Sequence, residues 1–505
     1  MRTFFISMTI TFALSIMDIF AQECQTEPLD STNFEAQPWI GNNQLLYDLA
    51  DSVSQLAIAT ENTSGYEGGF DGSVVYWVPL KFWVYHTSTN PGMTQDEIER
   101  AVRTLNDQFA GRLNTTGQAH NHSHVQFYIK CEITYLNDPL GALNPDEGRV
   151  TYRMNNNFEP GAINVHVPIS YPGGIARLPL MHYVPGYKPY ATFTGQAFLN
   201  TSTFAHEIGH TLGLLHTHDV SSISSAFNED VGNCRQEPVS RTMTQPLGCL
   251  NFTGKKKCEV NGDGLCDTEA DPGLNSARVN SSGTYIYTGT DNWGVIWTPN
   301  IYNIMSYSLP QFRELFTTGQ QGVMYHWIEG VPNWAALGYP YLNKDASFID
   351  VYEPDNFRSN LNPAINFGSI QHRGFHKVPN GKRNDITSWS NCDEDWVRIQ
   401  VPHNGFKASI YTTGLPNGQD VDTELFLYHQ NGTTLIASHD NKSTMDLYSE
   451  ILEVTLNQGT YWVRVVNKGN GDGEYLLHLE RCGIECCFND LLSNVNIIDQ
   501  STGNL

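Results

Sequence analysis

The sequence predicts an α/β domain with a twisted mixed sheet, followed by an all-β sandwich domain. Strand and helix patterns alternate in the first two thirds of the chain, whereas only short alternating strand patterns follow residue 345. A chain of 505 residues is also too long for one ordinary hydrophobic core, which favours two domains with accessory segments.

The elements of the α/β domain begin with a strand pattern at Trp77–Tyr85 and a helical pattern at Thr94–Phe109. Further strands are predicted from alternation at Val125–Ile129 and Ile163–Val167, and a helix with histidines follows. The apolar stripe of the first helix consists of Ile98, Val102, Leu105 and Phe109. The domain is expected to occupy residues 77–340.

Residues 22–76 precede this domain and are mostly polar, so they are interpreted as a propeptide or an N-terminal extension. Within them, Leu45–Ile58 has amphipathic spacing and is predicted to form a helix.

The sandwich domain is expected at residues 348–482, where Gly, Asn and Asp mark the turns between short strands. The predicted strands are Trp396–Val401, Glu424–Tyr428, Ile451–Leu456, Tyr461–Val466 and Tyr475–Leu479. Residues 483–505 are expected to form a C-terminal tail.

Residues 1–21 have the pattern of a signal peptide: Arg2, then an apolar run that ends at Ala21 before polar residues. A membrane anchor is the rival interpretation, but the run is short and is interrupted by Asp18. No later stretch approaches the roughly 20 apolar residues of a membrane span. We therefore expect a secreted, extracellular protein.

Charge and cysteine content bear on the partners of the protein and on the compartment in which it folds. The net charge of -24, from 53 acidic and 29 basic residues, repels phosphate backbones and argues against nucleic acid as a partner. Ten cysteines fit an oxidising compartment, and Cys234, Cys249, Cys258 and Cys266 crowd one stretch where local disulfides are expected. Sequence alone leaves their pairing open.

The segment from Thr203 to His216 carries the chemistry. On a helix, His206 and His210 lie one turn apart on the same face and can bind one metal ion. Glu207, beside them, can accept a proton from the attacking water and pass it to a leaving amine.

The helix is expected to end at Gly213, which can adopt the left-handed conformation and turn His216 toward the same metal. Three neutral nitrogens leave one position open, as in a catalytic zinc site. A single histidine is more often a hydrogen-bonded core or surface residue, but chance does not explain the whole set. His218 is expected to face solvent or to lie behind the ligands, since a fourth protein ligand would close the site.

A second motif, Tyr302-Asn303-Ile304-Met305-Ser306-Tyr307, matches the methionine turn of metzincin proteases. Alone, the hexapeptide would be read as a buried methionine at a strand end. Together with the histidine motif, the match implies that Met305 forms an apolar floor under the imidazoles. It also implies that Tyr307 hydrogen-bonds the oxyanion of the tetrahedral intermediate.

The chain resembles the pappalysin and cytophagalysin family of metzincins over roughly residues 77–334. Gly262–Thr268 resembles that family's Gly-Asp-Gly-x-x-Asp-Thr segment, and Phe316–Gln320 resembles the block after its methionine turn. The resemblance implies a disulfide-linked, calcium-binding region there, with Asp263, Asp267 and Thr268 as calcium ligands. A plain Asp/Gly-rich turn is the competing interpretation.

The resemblance also implies that peptide substrate binds as an extended strand, antiparallel to an edge strand similar to Gly173–Ala176. Two departures concern loop geometry and specificity: a long polar insertion at residues 220–260, and His218 where the family has an aromatic residue. In family zymogens a propeptide cysteine can occupy the open zinc position. Cys24 could do so, but pairing all ten cysteines favours a disulfide instead.

Beyond residue 348, Asp350–Asn356, Asp395–Arg398 and Gly459–Val465 resemble the bacterial pre-peptidase C-terminal domain. Such domains accompany secreted proteases, and contact with matrix polymers is one conceivable role. For Trp396, Tyr461 and Trp462 we favour sheet packing over sugar binding. Cys392 and Cys482 could staple this domain.

The sequence therefore predicts a secreted zinc-dependent endopeptidase that cleaves extracellular proteins. The alternative is a non-enzymatic adhesion or matrix-binding protein on the same scaffold, which loss of Glu207 or of a ligand would have marked. A zinc hydrolase acting on another amide is a third possibility without a positive feature. Cleavage specificity depends on the segment after Met305, where Arg313 and Glu314 could each matter.

Overall fold

The computed structural model describes residues 25–26, 43–63, 75–112, 122–130, 133–179, 188–218, 237–246, 253–329, 358, 364–375, 394–415, 421–468 and 473–481. The predicted signal peptide, the C-terminal tail, and Cys24, Cys234, Cys249, Cys392 and Cys482 lie outside these residues. The described residues form two compact units, one ending at Glu329 and the other beginning at Arg358.

A mixed sheet forms the centre of the first unit, as predicted. Its strands are β1 (Gln25–Thr26), β2 (Tyr76–His86), β3 (Val125–Ile129), β4 (Thr134–Asn137), β5 (Ile163–Val167), β6 (Gly174–Ala176) and β7 (Ala191–Thr194). The order across the described sheet is β1-β6-β7-β5-β2-β3, and β4 pairs with the far end of β2. The pairing of β6 with β7 is antiparallel, while the others in this sheet are parallel.

The helices of this unit are α1 (Gln44–Thr63), α2 (Gln95–Phe109), α3 (Pro139–Ala142), α4 (Glu147–Asn156), α5 (Ser202–Thr211) and α6 (Thr318–Glu329). Helix α2 begins with a capping box, in which Thr94 and Glu97 satisfy each other's backbone N–H groups. The apolar stripe predicted for α2 is fully buried.

Strands β3 and β5 are buried at every position, although their sequences alternate. Strands of a parallel sheet are covered on both faces, so their polar positions are buried too. His166 on β5 is one such position. The bounds predicted for β3 and β5 are confirmed. The alternation of polar and apolar residues in these two strands does not correspond to an exposed face.

The helix predicted near residue 45 is confirmed as α1, and it is packed into the first unit. Leu46, Ala50 and Val53 are buried, and a Cβ on Gly322 of α6 would lie 2.5 Å from the Leu46 carbonyl oxygen. Asn43, just before α1, donates to Gly264 O at 2.8 Å and accepts from the Cys266 N–H at 3.0 Å. The buried side chains of residues 43–53 thus belong to the core of this unit.

The second unit consists of two five-stranded sheets that share one core. The strands are β8 (Ala364–Ile365), β9 (Ile370–Phe375), β10 (Glu394–Val401), β11 (Phe406–Gly414), β12 (Thr423–Tyr428), β13 (Leu435–His439), β14 (Asn441–Ser443), β15 (Asp446–Leu456), β16 (Gly459–Asn467) and β17 (Gly473–Arg481). The described orders of the two sheets are β13-β12-β16-β10-β8 and β14-β15-β11-β17-β9.

In this unit the alternation of apolar and polar residues does correspond to a buried and a more exposed face. The inward residues of both sheets build the core. The predicted strands are confirmed as β10, β12, β15, β16 and β17, while the longest strand missed is β11. Tyr461 and Trp462 are buried, as their packing interpretation requires, and Trp396 stacks on Tyr428 at 5.3 Å.

One of the expected local disulfides joins Cys258 to Cys266. In the part of the chain that the structure describes, no helix is both long and apolar enough to cross a membrane.

Candidate metal centre

Helix α5 presents two histidines from a fully buried position. The Thr201 side chain caps its N-terminus by accepting from the Thr203 N–H at 3.2 Å. All residues of α5 are buried, including His206, Glu207 and His210. The helix that carries the ligands is therefore held in place by packing along its whole length.

The C-terminus of α5 closes in a Schellman motif. The Gly213 N–H donates to His210 O at 2.9 Å and the Leu214 N–H donates to Gly209 O at 3.0 Å. Gly213 has φ +89°, the left-handed conformation expected from the sequence. A Cβ on Gly213 would overlap the Trp327 indole, so both its backbone and its surroundings require glycine.

The turn after Gly213 brings His216 to the same point as the helical pair. The Nε2 atoms of His206, His210 and His216 are 2.9–3.2 Å apart. Two ligand nitrogens on one tetrahedral zinc ion, each about 2.0–2.1 Å from it, are about 3.3–3.4 Å apart. The spacing of the three nitrogens fits such an ion.

The other ring nitrogens show which tautomer two of the ligands adopt. His206 Nδ1 donates to Ile304 O and His210 Nδ1 donates to Leu214 O, both at 2.7 Å. These carbonyls can only accept, so the proton lies on Nδ1 and the Nε2 lone pair faces the convergence point. Burial, aided by nearby His210, Arg313 and His216, holds the pKa of His206 well below its usual range. Neutral imidazole is the form that binds a metal.

Among the described residues, this is the one group of His, Cys, Asp and Glu side chains whose ligand atoms converge. His218 is half-buried and does not belong to it. Its ring stacks on that of His216 at 5.3 Å, with 9° between the planes, and contacts Tyr307 at 4.6 Å. His218 thus lies beside His216 and outside the group of converging nitrogens.

Met305 packs against helix α5 at Gly209. It is fully buried, and a Cβ on Gly209 would lie 2.6 Å from its sulfur. Its carbonyl accepts from the Thr217 N–H at 3.3 Å, which ties the turn to the residue after His216. Tyr307, half-buried, has its ring 4.5 Å from that of His216 and 6.1 Å from that of His206.

An amide pair holds the segment Tyr302–Tyr307 in shape. Asn303 Nδ2 donates to Gln320 Oε1 at 3.0 Å, and Gln320 Nε2 donates to Asn303 Oδ1 at 3.2 Å. The same Asn303 oxygen accepts from the Met305 N–H at 2.8 Å. Sequence reasoning noticed the block that contains Gln320 but did not connect it to this turn.

Glu207 lies beside strand β6. Its side chain is buried, and a Cβ on Gly174 would overlap its carboxylate. The missing side chain at Gly174 gives the carboxylate its space beside the backbone of β6.

The outer edge of β6 is paired within the chain itself. Gln25 is the partner of Ile175 and Thr26 is the partner of Ala176, in parallel orientation. The edge strand expected to bind substrate is therefore covered by N-terminal residues. These residues run parallel to β6, whereas a substrate is expected to bind antiparallel to it.

The acidic segment implied to bind calcium is crowded and buried. Asp263 Oδ2, Asp267 Oδ1 and Thr268 Oγ1 are buried and make no hydrogen bond of ordinary geometry with described residues. Burial, and then nearby Glu237, raises the pKa of Asp263 well above its usual range. Burial likewise raises the pKa of Asp267.

Asp271 is a residue that sequence reasoning missed. Its Oδ1 accepts from the N–H groups of Gly273 and Leu274 at 2.8 Å, and its Oδ2 accepts from the Thr217 hydroxyl at 2.5 Å. The loop after the acidic segment thereby holds the residue that follows His216. The only sequence signal was the Asp-Pro pair at residues 271–272, which is typical of any turn.

The two candidates for a specificity wall are both buried. Arg313 and Glu314 are 2% and 4% exposed. Arg313 reaches back to the N-terminus of α5, where its Nη2 donates to Thr203 Oγ1 at 2.9 Å.

No protein-family model matches the sequence, and no curated protein matches it. Solved structures similar to it include mature mirolysin of Tannerella forsythia in complex with a cleaved peptide. It is 16% identical, with 49% of this chain and 89% of that chain covered and a TM-score of 0.34.

A promirolysin mutant of the same organism is 14% identical, with 60% and 92% covered and a TM-score of 0.36. The pre-peptidase C-terminal domain of a Bacillus anthracis collagenase is 14% identical, with 23% and 92% covered and a TM-score of 0.18. All these likenesses are distant.

Proposed function

We propose that this chain is a secreted zinc-dependent endopeptidase of the metzincin type, similar to pappalysins and cytophagalysins, that cleaves extracellular proteins. The observation that carries the proposal is the convergence of His206, His210 and His216, with Nε2 atoms 2.9–3.2 Å apart. Glu207 follows the first ligand on the same helix, so a carboxylate base is built next to the metal position.

Zinc, when bound by the three histidines, supplies a Lewis acid that polarises a carbonyl group and lowers the pKa of water. Glu207 accepts the proton of the attacking water and delivers it to the leaving amine. Its carboxylate is kept in place by the backbone of β6 at Gly174. The hydroxyl of Tyr307 donates to the oxyanion that develops at the scissile carbonyl.

Substrate would bind as an extended strand along the edge of β6, the edge that Gln25–Thr26 cover in this structure. Backbone hydrogen bonds to β6 would hold the scissile peptide bond over α5, which lies next to this strand. Gln25–Thr26 would then have to leave the edge before a substrate can bind.

The test is cleavage of a mixed peptide library by the zinc-loaded chain and by a form that begins at Asn43. Glu207→Gln is the matched control, since it keeps the shape of the side chain but removes the base. We expect cleavage that is lost on chelation, returns with zinc, and falls about 10²- to 10⁴-fold in Glu207→Gln. Zinc-loaded protein with a free β6 edge that cleaves nothing would contradict the proposal and favour a binding protein.

We also propose that the acidic segment holds a structural calcium ion through Asp263, Asp267 and Thr268. Their buried oxygens without hydrogen bonds are the hard ligands that calcium prefers. Thermal unfolding with and without calcium tests this, with Asp263→Asn as the variant. Calcium should raise the Tm of the wild type more than that of the variant. A Tm that does not respond to calcium would show that the segment is a plain turn.

A further inference from the structure

We propose that Arg313 is a positioning residue for the metal centre. Its guanidinium braces helix α5 against the methionine turn and thereby fixes the imidazole of His206. The inference depends on the proposed function in one respect, namely that the three histidines hold zinc.

One side of the brace lies at the N-terminus of α5. Arg313 Nε donates to Ser202 Oγ at 3.2 Å and Nη2 donates to Thr203 Oγ1 at 2.9 Å. Ser202 in turn donates its hydroxyl to Pro310 O at 2.6 Å. The first turn of the helix is thereby bound to the loop that follows the methionine turn.

The other side of the brace lies on the methionine turn itself. Arg313 Nη1 donates to Ser306 O at 3.1 Å, directly after Met305 in the chain. The same nitrogen is 3.4 Å from His206 Nδ1, whose proton is donated to Ile304 O at 2.7 Å. The guanidinium therefore lies beside the hydrogen bond that orients the first ligand.

Arginine is suited to this place because its planar group carries several donors in a fixed geometry. Three acceptors on two separate segments are satisfied at once. A lysine could place its charge there but could not reproduce the planar arrangement of donors of the guanidinium group. An apolar residue would leave these buried acceptors without this donor.

The sign of the effect on zinc binding separates positioning from simple electrostatics. A cation beside a ligand repels a metal ion, so removing the charge alone should strengthen zinc binding. Losing the brace should weaken it, because the imidazole of His206 would no longer be fixed. Groups that orient metal ligands typically change metal affinity by about 10- to 100-fold.

The experiment measures zinc affinity of the full chain by competition with a chromophoric chelator, together with the visible spectrum of the cobalt-substituted protein. The variants are Arg313→Met, which removes charge and donors, and Arg313→Lys, which keeps the charge. Arg177→Met is the control, because Arg177 is a buried arginine of the same unit that donates to Asn155 and Lys188.

We expect Arg313→Met to bind zinc about 10- to 100-fold more weakly with an altered cobalt spectrum. Arg313→Lys should recover part of the affinity, and Arg177→Met should lose stability without losing affinity. Unchanged or tighter zinc binding by Arg313→Met would overturn the proposal. The proposal would also be overturned if Arg313→Met changed only which peptides are cleaved.

If Arg313→Met does not fold, Thr203→Val removes one acceptor of the brace and should weaken zinc binding by a smaller factor. Unchanged affinity in that variant would equally overturn the proposal. The result is separable from the proposed protease activity. A wild type that binds zinc but cleaves no peptide would refute the protease and leave this measurement intact.

Discussion

The carboxylate of Glu207 lies against the backbone of Gly174, in space that a Cβ on Gly174 would occupy. One residue belongs to the helix that carries the histidines, and the other belongs to strand β6, which Gln25–Thr26 cover. The candidate base and the candidate substrate-binding edge are therefore in direct contact. A substitution on the strand should act on the chemistry through this contact.

Gly174→Ala should lower peptide cleavage by about 10²-fold while zinc content stays unchanged, because the new methyl group displaces the Glu207 carboxylate. Gly174 does not have a positive φ, so alanine adds no backbone strain there. Kinetics and metal analysis of the variant check this. Gly148→Ala is the control, since its nearest neighbour is 3.5 Å away. Equal activity of both variants would show that Glu207 has room to move.

Gly213→Ala should destabilise the first unit and weaken zinc binding, because His216 follows this turn. The left-handed conformation alone costs alanine roughly 1–2 kcal/mol. Gly254→Ala is a matched control: Gly254 has φ +81° with open space around it, whereas a Cβ on Gly213 meets Trp327. Thermal unfolding of both variants separates the loss of stability caused by the overlap with Trp327 from the loss caused by the left-handed conformation. Equal losses of stability in the two variants would mean that the Trp327 side chain moves aside to make room for the methyl group.

The buried His166 should make the first unit sensitive to acid. Burial, together with Arg177 and Arg153, lowers its pKa to about 3. Its Nδ1 is 2.8 Å from the Tyr85 hydroxyl, and its Nε2 has no hydrogen-bond partner among the described residues. The folded state therefore holds this imidazole neutral, whereas the unfolded chain binds a proton near pH 6.5.

A group with a lowered folded pKa contributes stability that is complete above its unfolded pKa and is lost as the pH falls toward the folded value. Stability should thus fall between pH 6.5 and about 3, by at most roughly 1.4 kcal/mol per pH unit. Urea unfolding of zinc-free wild type and His166→Gln at several pH values measures this. The wild type should show the steeper loss, and parallel curves would contradict the assignment.

Removing residues 22–42 should raise peptidase activity, because it exposes the edge of β6 that Gln25–Thr26 cover. Removing residues 22–63 should instead destabilise the first unit. That deletion takes away Leu46, Ala50 and Val53, and a fully buried leucine alone contributes about 1.5–3 kcal/mol. Activity assays and thermal unfolding of the two truncated forms distinguish these effects. Unchanged activity after the shorter deletion would show that the edge is not limiting.

Much of the fold could be predicted because its patterns are local. The stripe of α2, the strands β3 and β5, and the alternation in the second unit are periodicities of the sequence itself. Strand β6 was expected only from the family resemblance and β7 was missed, since three or four residues carry too little periodicity. Their place in the sheet is decided by partners distant in sequence.

The sequence by itself determined the chemistry of the candidate site. The spacing of His206, Glu207 and His210 follows from the helical repeat, and Gly213 is required by a left-handed turn. These relations involve residues within a few positions of one another, so the backbone geometry of one helix and its cap is enough to predict them.

Only the tertiary structure decided what holds that chemistry in place. Arg313 reaches Ser202 and Asp271 reaches Thr217, across separations of 111 and 54 residues. The N-terminal strand covers β6 from a comparable distance along the chain. Such contacts follow from how distant segments pack, because an arginine or aspartate carries no local signal of the partner it will meet.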